Sequence, residues 1–406
     1  MAAPLVFTEL RPPLAADEAI VEADRCLDCG GPYAPAPCSV ACPAGIDVPT
    51  FIRQLAAGSE LAAAETIYRE NLLGGTCARV CPVEVLCEGA CVLEHEGQPP
   101  IRIAALQRFA TDAAEDAGLP LRAPAEPRDG RVAVVGAGPA GLACAGELAA
   151  RGRDVVVFDE HPEVGGIVRT AIAPYRQVVE PLPAERRALE RLGVRFRLGE
   201  RVGSTADVIE ASPDAVFLGV GLGEDRELDL PGAALPGYWR SLDFIATVKE
   251  RRLERLDGSV VVLGGGNTAI DVAREAVRLG APEVTVAYRR TRDVMPAYGF
   301  EVEEAEAEGV RFLWRCVPVE LCGRGRVERI VLERAGERLS VPAATVVAAI
   351  GQLPRTELAA WTDELARAGI PVYQGGDAVN GGKSVVQAVA DGKAAARAIE
   401  EALCAT

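Results

Sequence analysis

The chain has 406 residues, an apolar content of 49% and a formal net charge of −16. That length implies two to four domains with ordinary globular cores, and the acidic balance argues against a nucleic-acid role, because it repels phosphates. No apolar run reaches the ~18 residues of a membrane span, and Met1 to Ile20 lacks the apolar core of a secretory signal. A cytoplasmic, reducing setting is therefore expected, and it disfavours disulfides.

In chain order, residues 1–118 read as helical and irregular. They carry eight cysteines: Cys26, Cys29, Cys38, Cys42, Cys77, Cys81, Cys87 and Cys91. In a small secreted protein such a set would be a disulfide scaffold, but this chain is long and shows no secretory signal. Asp47-Val48-Pro49 opens a helix, since proline is preorganised in the first turn. Leu61 to Leu73 has helical spacing, with Gly74-Gly75 expected as its C-terminal cap. Ile103 to Thr111 is a further helix. Leu119 to Pro127 is a stiff, proline-rich linker. Only two histidines occur, His95 and His161, which excludes a multi-histidine metal centre. His95 reads as a solvated loop residue.

After the linker the texture becomes βαβ. Strand Arg131–Val135, helix Leu142–Arg151 and strand Asp154–Phe158 form one unit. Strand Ser259–Leu263, helix Ala269–Leu279 and strand Val284–Tyr288 form a second. A third apolar run, Ala344 to Ile350, precedes Gly351, and Ser384 to Ala402 is a terminal helix.

Each unit carries a glycine loop between strand and helix. Gly136-Ala137-Gly138-Pro139-Ala140-Gly141 fits G-x-G-x-x-G. The first glycine makes the turn, the second lets pyrophosphate approach the backbone, and the third lets helix and strand pack. Asp159 ends the next strand and is expected on a ribose diol, with Glu160 as its neighbour candidate. Gly165 and Gly166 offer close backbone approach to the same ligand. A decorative turn is the bland alternative. Gly264-Gly265-Gly266-Asn267-Thr268-Ala269 repeats the template, with Gly264, Gly266, Asn267, Thr268 and Ala269 as contacts. Its following strand ends in Tyr288-Arg289-Arg290. Arginine forks grip phosphate, so Arg289 and Arg290 point to the 2′-phosphate of NADPH rather than to NADH; two solvated arginines are the alternative. The acid-ended loop suits FAD. Flavin links a hydride donor to one-electron carriers, which makes the cysteines candidates for 4Fe–4S clusters, four ligands each. Two four-thiolate zinc sites are the other chemical option.

These motifs resemble a known family. Arg25-Cys26-Leu27-Asp28-Cys29, Cys42-Pro43-Ala44, Cys77-Ala78-Arg79-Val80-Cys81-Pro82, Leu106-Gln107-Arg108-Phe109, both glycine loops, Met295-Pro296-Ala297, Ala349-Ile350-Gly351-Gln352 and Gly375-Gly376-Asp377 are similar to the FAD- and NAD(P)H-binding iron–sulfur subunits of glutamate synthase and dihydropyrimidine dehydrogenase. In length and layout the chain looks nearest to the NAD(P)H-oxidising subunit of the bacterial dihydropyrimidine enzyme. The resemblance implies an α/β fold: a helical N-terminal iron–sulfur domain, then two Rossmann-like dinucleotide-binding domains, the FAD domain split by an inserted NAD(P)H domain. The expected boundaries are 1–118 for the iron–sulfur domain, a linker at 119–130, the leading FAD segment at 131–245, the NAD(P)H domain at 246–343 and the returning FAD segment at 344–406. It also implies that Gly376 and Asp377 meet the ribityl–pyrophosphate region. Val385 and Val386, within Ser384–Ala388, would run under the flavin ring.

Two partitions of the cysteines stay open. The simple one groups Cys26, Cys29, Cys38 and Cys42 against Cys77, Cys81, Cys87 and Cys91. Ferredoxins argue for crossing, because a cysteine before proline, here Cys42, often serves the neighbouring cluster. The resemblance implies the crossed set, which is preferred: Cys26, Cys29, Cys38 and Cys91 for one cluster, Cys42, Cys81, Cys87 and Gln107 for the other, with Cys77 a bystander. The eight residues between Cys29 and Cys38 exceed the family spacing. Cys144, Cys316, Cys322 and Cys404 are scattered, and no catalytic side chain is named. The expected function is oxidation of NADPH (or NADH) through FAD and two 4Fe–4S clusters. Electrons would pass to a flavin- and iron–sulfur-bearing catalytic subunit, first for pyrimidine reduction and second for glutamate synthesis. A non-enzymatic cluster-bearing scaffold is the alternative of another class. Neither nucleic acid nor membrane is an expected partner.

Overall fold

The computed structural model describes residues 9–31, 33–120, 122–123 and 125–405. Met1–Thr8 of the start, Pro32 of the Cys29–Cys38 insertion, Leu121 and Pro124 of the linker, and Thr406 lie outside them. The chain forms two compact units. The larger comprises 10–169, 179–222 and 354–406; the smaller is built mainly from 170–178 and 223–353.

The strands, in chain order, are β1 (Arg131–Val135), β2 (Asp154–Asp159), β3 (Arg195–Leu198), β4 (Ala215–Leu218), β5 (Tyr238–Arg240), β6 (Val260–Gly264) and β7 (Val284–Tyr288). They continue with β8 (Arg311–Trp314), β9 (Val317–Cys322), β10 (Arg329–Arg334), β11 (Glu337–Pro342), β12 (Thr345–Ala349) and β13 (Val372–Gln374).

The larger unit begins with a helical region. Asp47 caps helix Val48–Ala56 by accepting from the Thr50 amide at 3.3 Å, with Pro49 in the first turn as the sequence predicts. Phe51, Ile52 and Leu55 of that helix are buried, as are Ile67 of helix Glu60–Glu70 and Leu106 of helix Ile103–Asp116. Gly74 and Gly75 do not cap the preceding helix; they open the next one, Gly74–Val80. The chain breaks earlier, at buried Asn71, whose Oδ1 accepts from the Leu73 amide at 3.0 Å. Both glycines are small because space is short. A Cβ on Gly74 would lie 2.6 Å from Ile67 Cγ2, and one on Gly75 would lie 2.8 Å from Pro181 Cγ. Arg122 anchors the described portion of the linker, donating to Tyr68 O at 3.1 Å and to Glu147 at 2.7 Å.

A parallel sheet of order β13-β4-β1-β2-β3 follows. Its interior strands read as apolar runs because helices cover both faces. The strand order reverses beside β1, the place where doubly wound sheets hold dinucleotides. The chain leaves this sheet after β4 and returns with β13 and the terminal helix Val385–Ala405, so the first fold is split by the second.

The smaller unit repeats the plan. Its parallel sheet runs β5-β12-β6-β7-β8, with an antiparallel β11-β10-β9 sheet beside it. The third apolar run of the sequence is β12, paired with β6 in this sheet. Among the described residues no helix is long and apolar enough to cross a membrane.

Candidate functional site

Two cavities in the larger unit gather the N-terminal cysteines. The first is lined by Cys26, Cys29, Cys38 and Cys91, with Leu27, Pro37, Val48 and Ile52. Cys26 follows helix Ala16–Asp24, its amide donating to Ala23 O at 3.0 Å. Cys38 lies in the short helix Pro37–Val40, and Cys91 caps helix Val92–His95. The turn at Asp28 (φ +47°) is held by the Arg53 guanidinium, 2.7 Å from its carboxylate. Cys38 therefore lines this cavity despite the long spacing after Cys29.

The second cavity is lined by Cys42, Cys77, Cys81, Cys87 and Gln107, with Ile46, Asn71 and Val386. Cys77, expected as a bystander, is at its wall. The Gln107 amide nitrogen donates to Gly74 O at 2.7 Å. Asp112 joins the two motif arginines, Arg79 at 2.8 Å and Arg108 at 3.2 Å. Lys393 of the terminal helix donates to Ala44 O at 2.7 Å and to Glu70 at 3.0 Å, tying the Cys42-Pro43-Ala44 turn to that helix.

The chemistry of the donor sets fits iron–sulfur clusters. Burial, with the charges of Cys26 and Cys91 adding, pushes the Cys38 thiol up to about 11. Burial also raises Cys26, Cys42 and Cys87, while a hydrogen bond with Cys77, then burial, raises Cys81. Thiols crowded this way stay protonated by themselves, and a cationic metal group reverses that by binding the thiolates. Among the described residues no three His, Cys, Asp or Glu side chains converge on a single-ion site. Sulfurs ringing a cavity suit a multi-iron cluster better than a closed zinc site.

The first glycine loop joins β1 to helix Pro139–Ala149. Gly136 has φ +106°, and a Cβ there would lie 2.4 Å from Gly219 O; a Cβ on Gly141 would lie 1.8 Å from Gly136 O. Packing demands both. Gly138 differs, since a Cβ there meets nothing closer than Gly166 Cα at 3.9 Å. Open room beside a helix N-terminus is what a pyrophosphate requires. Gly165 donates to Ala137 O at 2.8 Å. A Cβ on Gly376 (φ +72°) would lie 2.8 Å from Ala140 Cβ, so this glycine also sits against the loop. Asp159 accepts from the Ala137 amide at 2.7 Å and from the His161 amide at 2.8 Å. Burial would raise its carboxyl, but hydrogen bonds from His161 and Ala137 hold it below the usual range. Glu160 is engaged by Arg355 at 2.9 Å. Asp377 is pushed up by burial and accepts from the Lys383 amide at 3.3 Å. Val385 and Val386 are buried. The structure thus brings Gly136 to Gly141, Asp159, Gly165, Gly166 and Gly376 around one loop.

The second loop joins β6 to helix Asn267–Arg278. A Cβ on Gly264 would lie 2.1 Å from Ala349 O and one on Gly265 2.4 Å from the Tyr288 ring, whereas one on Gly266 meets nothing within 4 Å. Gly266, like Gly138, thus leaves open room beside a helix N-terminus. Asn267 Oδ1 accepts from the Tyr298 amide at 2.9 Å, and the Ala297 amide donates to Gly265 O at 3.0 Å, strapping Met295-Pro296-Ala297 to the loop. Ala269 is buried and Thr268 half-buried. Arg289 and Arg290 are exposed at the end of β7.

Sequence reasoning missed Tyr175 and Arg176. Both are buried beneath the second loop's helix. The Tyr175 hydroxyl donates to Asp271 at 2.6 Å, and Arg176 bonds Asp271 at 2.9 Å and Glu301 at 2.8 Å. Their partners lie about a hundred positions away in the chain, and no local pattern links them.

The family described as pyridine nucleotide-disulphide oxidoreductase matches residues 130–392. The chain belongs to this family. Ahead of it, residues 5–119 match the family described as dihydropyrimidine dehydrogenase domain II, 4Fe-4S cluster. The glutamate synthase [NADPH] small chain of Halomonas elongata is 36% identical over 97% of this chain and 92% of its own. The NAD-dependent dihydropyrimidine dehydrogenase subunit PreT of Escherichia coli K12 is 34% identical over 97% of both chains. Among solved structures, FprA from Mycobacterium tuberculosis in complex with NADPH superposes with a TM-score of 0.54 at 22% identity, over 68% of this chain and 85% of that one. That last likeness concerns the fold. The protein is an oxidoreductase of the FAD, NAD(P)H and 4Fe–4S type, in the family of the small glutamate synthase and dihydropyrimidine dehydrogenase subunits.

Proposed function

We propose that the chain is the electron-input subunit of a larger enzyme that reduces pyrimidines, with FAD held by the larger unit, NADPH by the smaller and two 4Fe–4S clusters by the cysteine cavities. When bound, the flavin would supply hydride acceptance and the clusters one-electron carriage. The chain's own residues bind and align. Gly138 and Gly166 would admit the FAD pyrophosphate, Asp159 its ribose, and Gly376 and Asp377 the ribityl region. Gly266, Asn267 and Thr268 would line the NADPH pyrophosphate, and Arg289 and Arg290 would grip its 2′-phosphate. Hydride transfer needs alignment more than an acid or base, so no side chain is assigned a proton.

The observation that carries this reading is the wall shared at Val386. The segment expected beneath the flavin ring lines the same cavity as Cys42, Cys81, Cys87 and Gln107. Pyrimidine reduction is favoured because the alignment with PreT spans 412 positions, against 443 for the glutamate synthase chain, so fewer insertions separate them. Arg289 and Arg290 favour the second reading, the NADPH-using glutamate synthase subunit. Co-purification followed by assay separates the two. NADPH-dependent consumption of uracil or thymine is expected from the purified complex; glutamate formed from 2-oxoglutarate and glutamine would replace this reading with the second.

A further inference from the structure

Asn71 brings an unpaired hydrogen-bond donor to the second cysteine cavity. It follows helix Glu60–Glu70 and is 0% exposed. Its backbone amide donates to Ile67 O at 2.8 Å, its carbonyl accepts from the Gly74 amide at 3.1 Å, and its Oδ1 accepts from the Leu73 amide at 3.0 Å. The last bond fixes the sense of the side-chain amide, since its oxygen is the end that accepts. Nδ2 is left, and among the described residues it has no partner. A buried donor without an acceptor costs the desolvation of that group, and such a group in a native fold calls for a partner. Asn71 lines the cavity together with Cys42, Cys77, Cys81, Cys87 and Gln107. The two side-chain amides there are set in opposite senses. Gln107 engages its nitrogen, on Gly74 O at 2.7 Å, and Asn71 engages its oxygen. An amide nitrogen serves only as a donor, so Asn71 offers an N–H to whatever occupies the cavity.

We propose that Asn71 Nδ2 donates a hydrogen bond to a sulfur of the second cluster and thereby raises that cluster's reduction potential. The inference rests on the cluster reading proposed above. Hydrogen bonds to the sulfurs are among the terms that set cluster potentials. Reduction adds one electron to the cluster, and a donor stabilises the added negative charge. The flavin is the competing acceptor. The cluster is favoured because four cysteines share this wall with Asn71, whereas Val386 alone comes from the segment expected beneath the flavin ring.

The test is a redox titration of the full-length protein for the parent chain, Asn71→Ser and Asn71→Ala, with flavin absorbance and the paramagnetic signals of the reduced clusters followed together. Asn71→Ser keeps an oxygen that can accept from the Leu73 amide in the same kind of turn, but its shorter side chain falls short of the place of Nδ2. Asn71→Ala removes both groups. Both variants are expected to keep iron and FAD. In each, the midpoint of the cluster that depends on Cys42 should fall by about 59 mV, a tenfold change in a one-electron equilibrium constant. The midpoints of the other cluster and of the flavin should not move. An unchanged cluster midpoint in Asn71→Ser would overturn the proposal. So would a shift confined to the flavin, which would then be the acceptor, or loss of the cluster from Asn71→Ser while FAD is retained, since the residue would then serve the fold. In the parent chain, isotopic labelling of asparagine at Nδ2 should reveal a hyperfine coupling to the reduced second cluster, and its absence would overturn the proposal without any variant. A parent chain without iron would instead overturn the cluster reading beneath it.

Discussion

Cys91→Ser is expected to abolish the same cluster signal as Cys38→Ser, and to leave intact the signal that Cys42→Ser abolishes. Along the chain this is the unintuitive grouping, because Cys91 follows Cys77, Cys81 and Cys87 while Cys42 follows Cys38. In space Cys91 faces Cys26, Cys29 and Cys38, and Cys42 faces Cys81 and Cys87. Each Ser variant should retain about half of the iron, since one cluster of two is lost. The double variant Cys38→Ser/Cys91→Ser should lose no more than either single one, because residues that serve one unit are not additive. Gln107→Ala should weaken the signal that depends on Cys42. Iron content and low-temperature electron paramagnetic resonance of the reduced protein check all of this. If Cys91→Ser and Cys81→Ser remove one and the same signal, the grouping is wrong.

The second large effect concerns coenzyme choice. Replacing Arg289 and Arg290 together by Ala should lower kcat/KM for NADPH about 10- to 100-fold and leave NADH nearly unchanged. Charge-assisted hydrogen bonds to phosphate contribute about 1.5–3 kcal/mol. Solvent exposure at the end of β7 pulls that toward the lower figure, and about 1.4 kcal/mol is already tenfold. The NADPH preference should also shrink as salt is raised, since exposed charges are screened. Steady-state kinetics with an artificial electron acceptor measures this without the partner. An unaltered NADPH to NADH ratio in the double variant would remove these arginines from the site.

The two loops are legible in the sequence because glycine recurs at a fixed spacing between strand and helix, where Gly136, Gly141 and Gly264 avoid carbonyl oxygens and Gly138 and Gly266 leave open room. Strand, loop and helix are contiguous, so periodicity finds them. Packing is harder to read. Gly74 and Gly75 look like a cap because a glycine spared a clash with Ile67 or Pro181 is written the same way as one with positive φ. The apolar run at β12 announces a strand but not which sheet receives it. The Arg176–Asp271–Glu301 cluster and the Lys393 anchor at Ala44 join distant segments, and no short window contains both partners.

The most direct measurement is anaerobic addition of NADPH to the purified full chain, with flavin absorbance and cluster paramagnetism recorded together. The account predicts that the yellow absorbance bleaches and that signals of reduced 4Fe–4S clusters then appear, with no partner present. A protein that carries both pigments but neither bleaches nor gains a paramagnetic signal would contradict it.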